Sequence, residues 1–295
     1  MSLQQKILSL KLNAAIAVRH ANGWQRLVDL YGEEKATAFY AHLGLNHLER
    51  KSVEWEGMTL SREPKEHEKI AVKGVAQAQE SAKESIGKVL LDLRVELIAD
   101  GLKRVTKLKP ASYHKLVLRA PDTTRVDLNE RLVAVHRQGR MLVAAELGQK
   151  ADVPDADDFD ELDLLTDLTT SRVTNDVQSR IIAAAARHSL LGLTDAALIA
   201  AVTSEIATGS AGYIDRAATG LANRVINIGR SDEAENRRDD WERVEYSALL
   251  DQNVCQPCAG EDGKTATSED DLQPAPNPEC AGGDWCRCFH VYINQ

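Results

Sequence analysis

The stretch VAQAQESAKESIGKVLLDLRVEL, residues 75–97, decides the fold class of this 295-residue chain. Its apolar residues recur every three or four positions, as one face of an α-helix does. They are Val75, Ala78, Ala82, Ile86, Val89, Leu93 and Leu97. This stripe predicts a long helix from about Glu63 to Lys107, with Pro64 in its first turn and Pro110 beyond its end.

Helical patterns continue on the C-terminal side of this stretch. A second helix is predicted over Asp127 to Gln149, and helical periodicity then runs from Leu162 to Arg230 with breaks at Gly192 and around 209–212. Thr194 and Asp195 have the residue types that start a new helix after Gly192. Aromatic residues make up only 4% of the chain, which favours helices packed through small side chains. The fold class is therefore predicted to be mainly α.

The N-terminal residues also have a helical pattern. Leu3, Ile7, Leu10, Ala14 and Val18 are spaced as one face of a helix. Lysines interrupt the apolar residues, which favours an amphipathic helix over a signal peptide. No apolar run is long enough to span a membrane. The expected site of synthesis is a reducing cytoplasm, where structural disulfides are rare.

An acidic segment separates the second and third helical stretches. Residues 151–167 contain eight acidic residues and no basic one. The segment lacks the glycine and terminal glutamate of an EF-hand, so we interpret it as a solvated linker that becomes an acidic first helical turn. The sequence thus predicts four ranges: a helical N-terminal body (1–150), an acidic linker and helix start (151–168), a further helical part (169–240) and a cysteine-rich tail (241–295).

The periodicity changes from three or four to two in the tail. Val244, Tyr246, Ala248 and Leu250 alternate with more polar residues, and a second alternating run covers residues 289–293. Asp262-Gly263 between them predicts a tight turn, and three prolines from 274 to 278 predict extended chain. We therefore expect a small antiparallel β-unit attached to a long-helix body.

All five cysteines lie in this tail, at positions 255, 258, 280, 286 and 288. Cys255-Gln-Pro-Cys258-Ala-Gly has the form of a zinc knuckle, in which two intervening residues let both thiolates face one ion. A segment with so few apolar residues gains its folding energy from such an ion. We therefore predict that the β-unit is stabilised by one structural zinc.

Tetrahedral zinc takes four ligands, so one of the five thiols is spare. Cys255, Cys258 and Cys280 are expected to bind, with either Cys286 or Cys288 as the fourth ligand; the order of the residues along the chain slightly favours Cys286. If residues 286–290 are a strand, both cysteines and His290 share a face. Three other hypotheses compete: a thioredoxin-like redox pair, disulfides formed in an oxidising medium, and a catalytic zinc with an open position.

Charge limits the contacts with nucleic acid. The chain has a net charge of −9, and the part from Cys255 to Gln295 has seven acidic and two basic residues. This part of the tail would repel phosphates, so it is not expected to read DNA. Residues 101–121 contain six lysines and arginines and no acidic residue, a pattern that fits two alternatives: a phosphate-contacting patch or a solvated helix end. These candidate residues are Lys103, Arg104, Lys107, Lys109, Lys115 and Arg119.

Residues 165–295 contain, in order, Asn223-Arg224 in a helix, a helix end at Ile228-Gly229-Arg230, Ser247-Ala-Leu-Leu-Asp251, Cys255-x-x-Cys258, Asp262-Gly263, a proline-rich loop and Cys286-Arg-Cys288. This order of features resembles the C-terminal domain of the phage Mu F-like minor head proteins, also called phage head morphogenesis proteins. The family often has a histidine before the final Cys-Arg-Cys. Cys280 stands there in this chain, which favours an all-sulfur site.

The resemblance implies a structural component of a phage head with no catalytic residues. Its expected place is the virion, in the head interior or at the portal vertex, with a role in head morphogenesis and in DNA packaging or delivery. The portal protein, the major capsid protein and packaged DNA are the implied partners. Neither a membrane nor a small-molecule substrate is expected. The competing hypothesis is a zinc-dependent or thiol-based enzyme that uses the cysteine tail.

Overall fold

A computed structural model describes residues 53–149, 160–209, 211–250, 254–280 and 282–294. The prediction of an N-terminal helix over residues 3–18 and most of the acidic linker lie outside these residues. The helices are α1 (Lys69–Val105), α2 (Asp122–Glu146), α3 (Asp160–Leu190), α4 (Asp195–Gly209), α5 (Ala211–Asn236) and α6 (Gln256–Glu261). The strands are β1 (Val53–Trp55), β2 (Met58–Leu60), β3 (Arg243–Ser247), β4 (Thr265–Ala266) and β5 (Phe289–Ile293). The fold is mainly α with a small antiparallel sheet near the C-terminus, as predicted.

The predicted apolar stripe lies on α1, and each of its seven residues is buried. The helix begins later than predicted, at Lys69, because a 3₁₀ turn over Glu66–Glu68 precedes it. The Glu68 carboxylate accepts a hydrogen bond from the backbone N–H of Lys65 at 2.6 Å and so fixes this turn. Pro64 therefore lies before the helix and not in its first turn.

The predicted helix end at Arg230 is wrong. Helix α5 continues to Asn236, because Arg230 and Glu233 point inward and are 1% and 2% exposed. Each side chain forms an ion pair with a residue of α2. The break between α3 and α4 is where the sequence predicts it, with Gly192 at a φ of +79°.

The chain forms two compact units, each built from segments that are distant in sequence. The described part of the first consists of residues 53–76, 140–149, 230–250, 254–280 and 282–294, and we call it the mixed unit. The second consists of residues 77–139, 160–209 and 211–229, and we call it the helical unit. The contiguous ranges inferred from sequence stay a prediction.

The helical unit contains a very close backbone contact between α2 and α5. A Cβ atom placed on Gly139 would lie 2.3 Å from the carbonyl oxygen of Ile226. One placed on Gly229 would lie 2.1 Å from the carbonyl oxygen of His136. Only glycine fits at these two positions, because the opposing atoms are backbone and cannot turn away.

The mixed unit contains the sheet, in the order β4-β3-β5, with both pairs antiparallel. A separate hairpin of β1 and β2 turns at Glu56-Gly57, where both φ angles are positive. Leu60 at the end of this hairpin packs in a core with Phe289 and Val291 of β5. The sheet thus holds the chain on both sides of the cysteine-containing segment.

Candidate metal centre

The first two cysteines are placed by the short helix α6. Cys255 is the residue before its first turn, and Cys258 lies within it. Pro257 suits this first turn, where its missing N–H has no helical partner to lose. After the helix, the Asp262 N–H donates to the Cys258 carbonyl at 3.0 Å, and Gly263 reverses the chain at a φ of +84°. The predicted tight turn is confirmed.

The other three cysteines approach from the opposite end of the segment. Cys280 ends a turn in which its N–H donates to the Asn277 carbonyl at 3.0 Å. Cys286 follows the 3₁₀ turn Gly283–Trp285, and Cys288 directly precedes β5. Since β5 pairs with β3, the sheet fixes where this second group enters.

The five thiols meet in two overlapping groups. Cys255, Cys258 and Cys280 form one, and Cys258, Cys286 and Cys288 form the other, with all sulfurs of a group within 4.8 Å of one another. The Sγ atoms of Cys255 and Cys280 are 3.6 Å apart, and those of Cys258 and Cys286 are 3.9 Å apart. Sulfurs bound tetrahedrally to one zinc lie about 3.8 Å apart. The cysteines therefore lie close enough to hold a metal ion.

No cysteine of the described residues forms a disulfide. Cys258, Cys286 and Cys288 are buried, whereas Cys255 and Cys280 are partly exposed. The thiols pack with Tyr246 and Ala248 of the β3 segment in one small core. This core contains sulfur where an ordinary core of its size would contain leucine or valine, which is what a metal-stabilised module requires.

The protonation state of the five thiols depends on whether a cation is bound among them. Hydrogen bonds with Cys255 and the other thiols raise the pKa of Cys258, and burial adds to the effect. Burial, followed by the field of Cys288, raises the pKa of Tyr246, whose hydroxyl is 4.0 Å from Cys258 Sγ. A divalent ion at this place reverses the balance for the thiols, because its charge favours thiolate.

His290 belongs to neither group of cysteines. Its Nε2 is 3.0 Å from the carbonyl oxygen of Gln273, and its Nδ1 is 3.6 Å from Glu269. The condition for a common face with Cys286 and Cys288 is not met, because β5 begins only at Phe289 and both cysteines lie before it, outside regular secondary structure.

A carboxylate, Glu269, organises the side of the sheet next to His290. Ser231 and Tyr292 donate hydrogen bonds to its two oxygens at 2.7 and 2.6 Å. Burial opposes ionisation of Glu269, but the hydrogen bonds from His290, Tyr292 and Ser231 hold its pKa below the usual range. Because these side chains satisfy one another, we interpret them as a structural network.

A second polar network links the cysteine-containing segment to the start of α1. Arg62 donates to Glu68 at 2.6 Å and to Asp262 at 2.8 Å, and Asp262 also accepts the Ala248 N–H at 2.9 Å. Beside it, buried Glu245 of β3 accepts from Lys65 at 2.5 Å. Sequence reasoning missed this network, because its members are up to 200 residues apart.

The six candidate phosphate-contacting residues lie in the helical unit. Each is exposed. Lys103 and Arg104 are in the last turn of α1, and Lys115 ends a 3₁₀ helix over Pro110–Lys115. Arg104 forms an ion pair with Asp100 at 2.8 Å. Residues 116–121, between this 3₁₀ helix and α2, form neither helix nor strand.

No protein-family model, curated protein or solved structure matches this chain. In the part of the chain that the structure describes, no helix is both long and apolar enough to cross a membrane.

Proposed function

We propose that the cysteine cluster binds one structural zinc ion and that the chain is a non-enzymatic structural protein. The observation that carries the metal proposal is the meeting of all five thiols at 3.6–3.9 Å for the closest pairs. An all-sulfur set with tetrahedral spacing selects zinc over calcium or magnesium, which prefer oxygen ligands. The ion would join the two ends of a segment that the sheet holds at its borders, through β3 and β5, and in its middle, through β4.

The proposed ligands are Cys255, Cys258, Cys280 and Cys286. Cys258 belongs to both thiol groups, and Cys286 Sγ lies 3.9 Å from it. Cys288 is the spare thiol in this assignment, and it has a hydrogen-bonding neighbour in Tyr246. A zinc with four thiolates has no free position for a substrate, which favours a structural site.

At the level of the whole protein, we propose a minor head protein of a tailed phage. The support is the resemblance of residues 165–295 to the Mu F-like family, together with an acidic tail that suits contact with protein better than contact with DNA. The portal protein or the major capsid protein would be the partner, at the portal vertex or in the head interior. Packaged DNA is a further proposed contact.

The metal proposal is tested by metal analysis of the purified chain and by cobalt substitution. We expect one zinc per chain and a cobalt spectrum with the thiolate charge-transfer bands of a tetrahedral four-sulfur site. Single serine variants of Cys255, Cys258, Cys280 and Cys286 should weaken these bands, and Cys288→Ser should leave them unchanged. A zinc ion that carries an exchangeable water ligand in the native protein would favour the enzyme hypothesis instead.

The head-protein proposal needs a separate experiment. The chain is co-expressed with candidate portal and capsid proteins, and the resulting particles are imaged at the portal vertex. Density that disappears when the chain is omitted supports the proposal, whereas particles that assemble and package DNA without it contradict the proposal. This result does not depend on the metal content, so the two proposals can fail independently.

A further inference from the structure

Two neighbouring leucines form the tip of the turn between α3 and α4. Leu190 and Leu191 are 89% and 71% exposed. The tip has a defined backbone, since Gly192 adopts a φ of +79° and the Leu193 N–H donates to the His188 carbonyl at 3.1 Å. A firm turn that presents two adjacent leucines to solvent indicates a contact surface, because exposed aliphatic groups gain free energy on leaving water.

The basic segment lies at this same end of the helical unit. The Tyr113 hydroxyl is 2.8 Å from Ser189 Oγ, one residue before the leucine pair. The Leu118 N–H donates to Gln178 Oε1 at 2.8 Å. These two hydrogen bonds hold residues 113–118 against the C-terminal part of α3, between Gln178 and Ser189. Val117, 56% exposed, is a further apolar side chain on this segment.

Five of the basic side chains here are free for an external anion. Among the described residues no acidic group pairs with them, whereas Arg104 pairs with Asp100. They are Lys103, Lys107, Lys109, Lys115 and Arg119, and all are exposed. The helix dipole explains why cations are favoured at the end of α1, but it does not reach the last three of these residues.

We infer that this end of the helical unit docks on an anionic phospholipid bilayer, with Leu190 and Leu191 entering the boundary between headgroups and acyl chains. Basic groups beside exposed aliphatic ones are the pattern of an interfacial membrane contact. Duplex DNA would account for the cations but not for the leucines. A surface contact needs no spanning helix, so this inference departs from the expectation of no membrane partner.

Co-sedimentation of the full-length chain with phospholipid vesicles tests this inference. One vesicle preparation contains equal parts of zwitterionic and anionic lipid, and the other contains zwitterionic lipid only. We expect binding to the first and little to the second. The variant Leu190→Ser/Leu191→Ser should bind anionic vesicles about tenfold or more weakly. The matched control is Leu164→Ser/Leu168→Ser on α3, which also removes two exposed leucines and should bind as the native chain does.

A charge variant and a DNA competitor separate the two anionic partners. Lys107→Gln/Lys109→Gln/Lys115→Gln should weaken vesicle binding, as should high salt, because both reduce the attraction to lipid phosphates. Three results overturn the inference. The first is absence of binding to anionic vesicles, and the second is unchanged vesicle binding of the Leu190/Leu191 variant. The third is binding to duplex DNA as tight as binding to vesicles, with the DNA binding abolished by the lysine changes and not by the leucine changes. The last result would identify a nucleic-acid surface.

Discussion

The two units are stabilised by different means. The helical unit packs a stripe of small and aliphatic side chains and brings two helix backbones together at glycines. The mixed unit has three strands in its sheet, buried ion pairs and a core of thiols. The difference teaches that long helices bury enough apolar surface through their hydrophobic periodicity, whereas short strands and loops depend on buried polar contacts and, in our proposal, on a metal ion.

Removal of the proposed zinc should have the largest effect, and the effect should be confined to the mixed unit. Structural zinc contributes about 10–16 kcal/mol in small modules, which is as large as the whole unfolding free energy of a typical domain. With a chelator, hydrogen exchange should become fast in residues 244–250 and 286–294 and stay slow in 78–97. Chelator presaturated with zinc is the control. Equal loss of protection in both units would contradict this division.

Breaking a buried ion pair of the mixed unit should have the next largest effect. Arg230 is 1% exposed, binds Glu146 of α2 and the backbone carbonyl of His290, and has the rings of Phe289 and Tyr292 each at 5.6 Å. Arg230→Met leaves the Glu146 carboxylate buried and unpaired, which costs about 3–5 kcal/mol of unfolding free energy. Urea denaturation measures this.

The double variant Arg230→Met/Glu146→Leu distinguishes charge from packing. It removes both charges, so most of the lost stability should return. If the double variant is as unstable as Arg230→Met alone, the hydrogen bond to the His290 carbonyl and the ring contacts dominate instead.

The glycine contact in the helical unit predicts an intermediate effect. Gly229→Ala places a Cβ 2.1 Å from the His136 carbonyl oxygen, so α2 and α5 must separate. We expect a loss of about 1–3 kcal/mol by chemical denaturation. Gly87→Ala is the matched control, because its Cβ would lie 3.6 Å from Ala218 in ordinary contact. That variant should gain up to about 1 kcal/mol from helix propensity. Similar results for both variants would show that the close approach does not matter.

The smallest effect is expected for an exposed ion pair on α2. Arg131 and Asp127 are four residues apart, 3.3 Å from each other and both about half exposed. Arg131→Ala should change the unfolding free energy by less than about 0.5 kcal/mol. Arg140→Ala removes one of the two cationic partners of buried Glu233, the other being Arg237, and should cost several times more. Equal costs would mean that burial does not decide the strength of these pairs.

Much of the fold could be predicted from local pattern. The stripe on α1, the turn at Gly192 and the alternating run at 289–293 each correspond to an element of the structure. Errors occurred where a distant contact overrides the pattern. Helix α5 continues past Arg230 because residues of α2 form ion pairs with its buried charged side chains. Local sequence signals for helix ends contain no information about such distant partners.

The sequence predicted which residues form the candidate site, but it did not predict which side chains surround them. The five cysteines stood out in the sequence because they cluster in the tail. The Tyr246 contact, the Arg62–Asp262 link and the separation of His290 from the thiols could not be predicted. They depend on which segments meet across the sheet, and periodicity carries no information about that.

The sequence by itself determined that the chain is mainly helical, that its tail is a small β-unit and that its thiols are concentrated there. Hydrophobic periodicity and cysteine spacing are local properties, so they can be read without knowledge of the partners. The tertiary structure alone decided that two glycines meet between α2 and α5, and that the leucine tip and the basic segment share one end of the helical unit. Such pairings arise when distant segments bury each other's surfaces, which only the folded chain specifies.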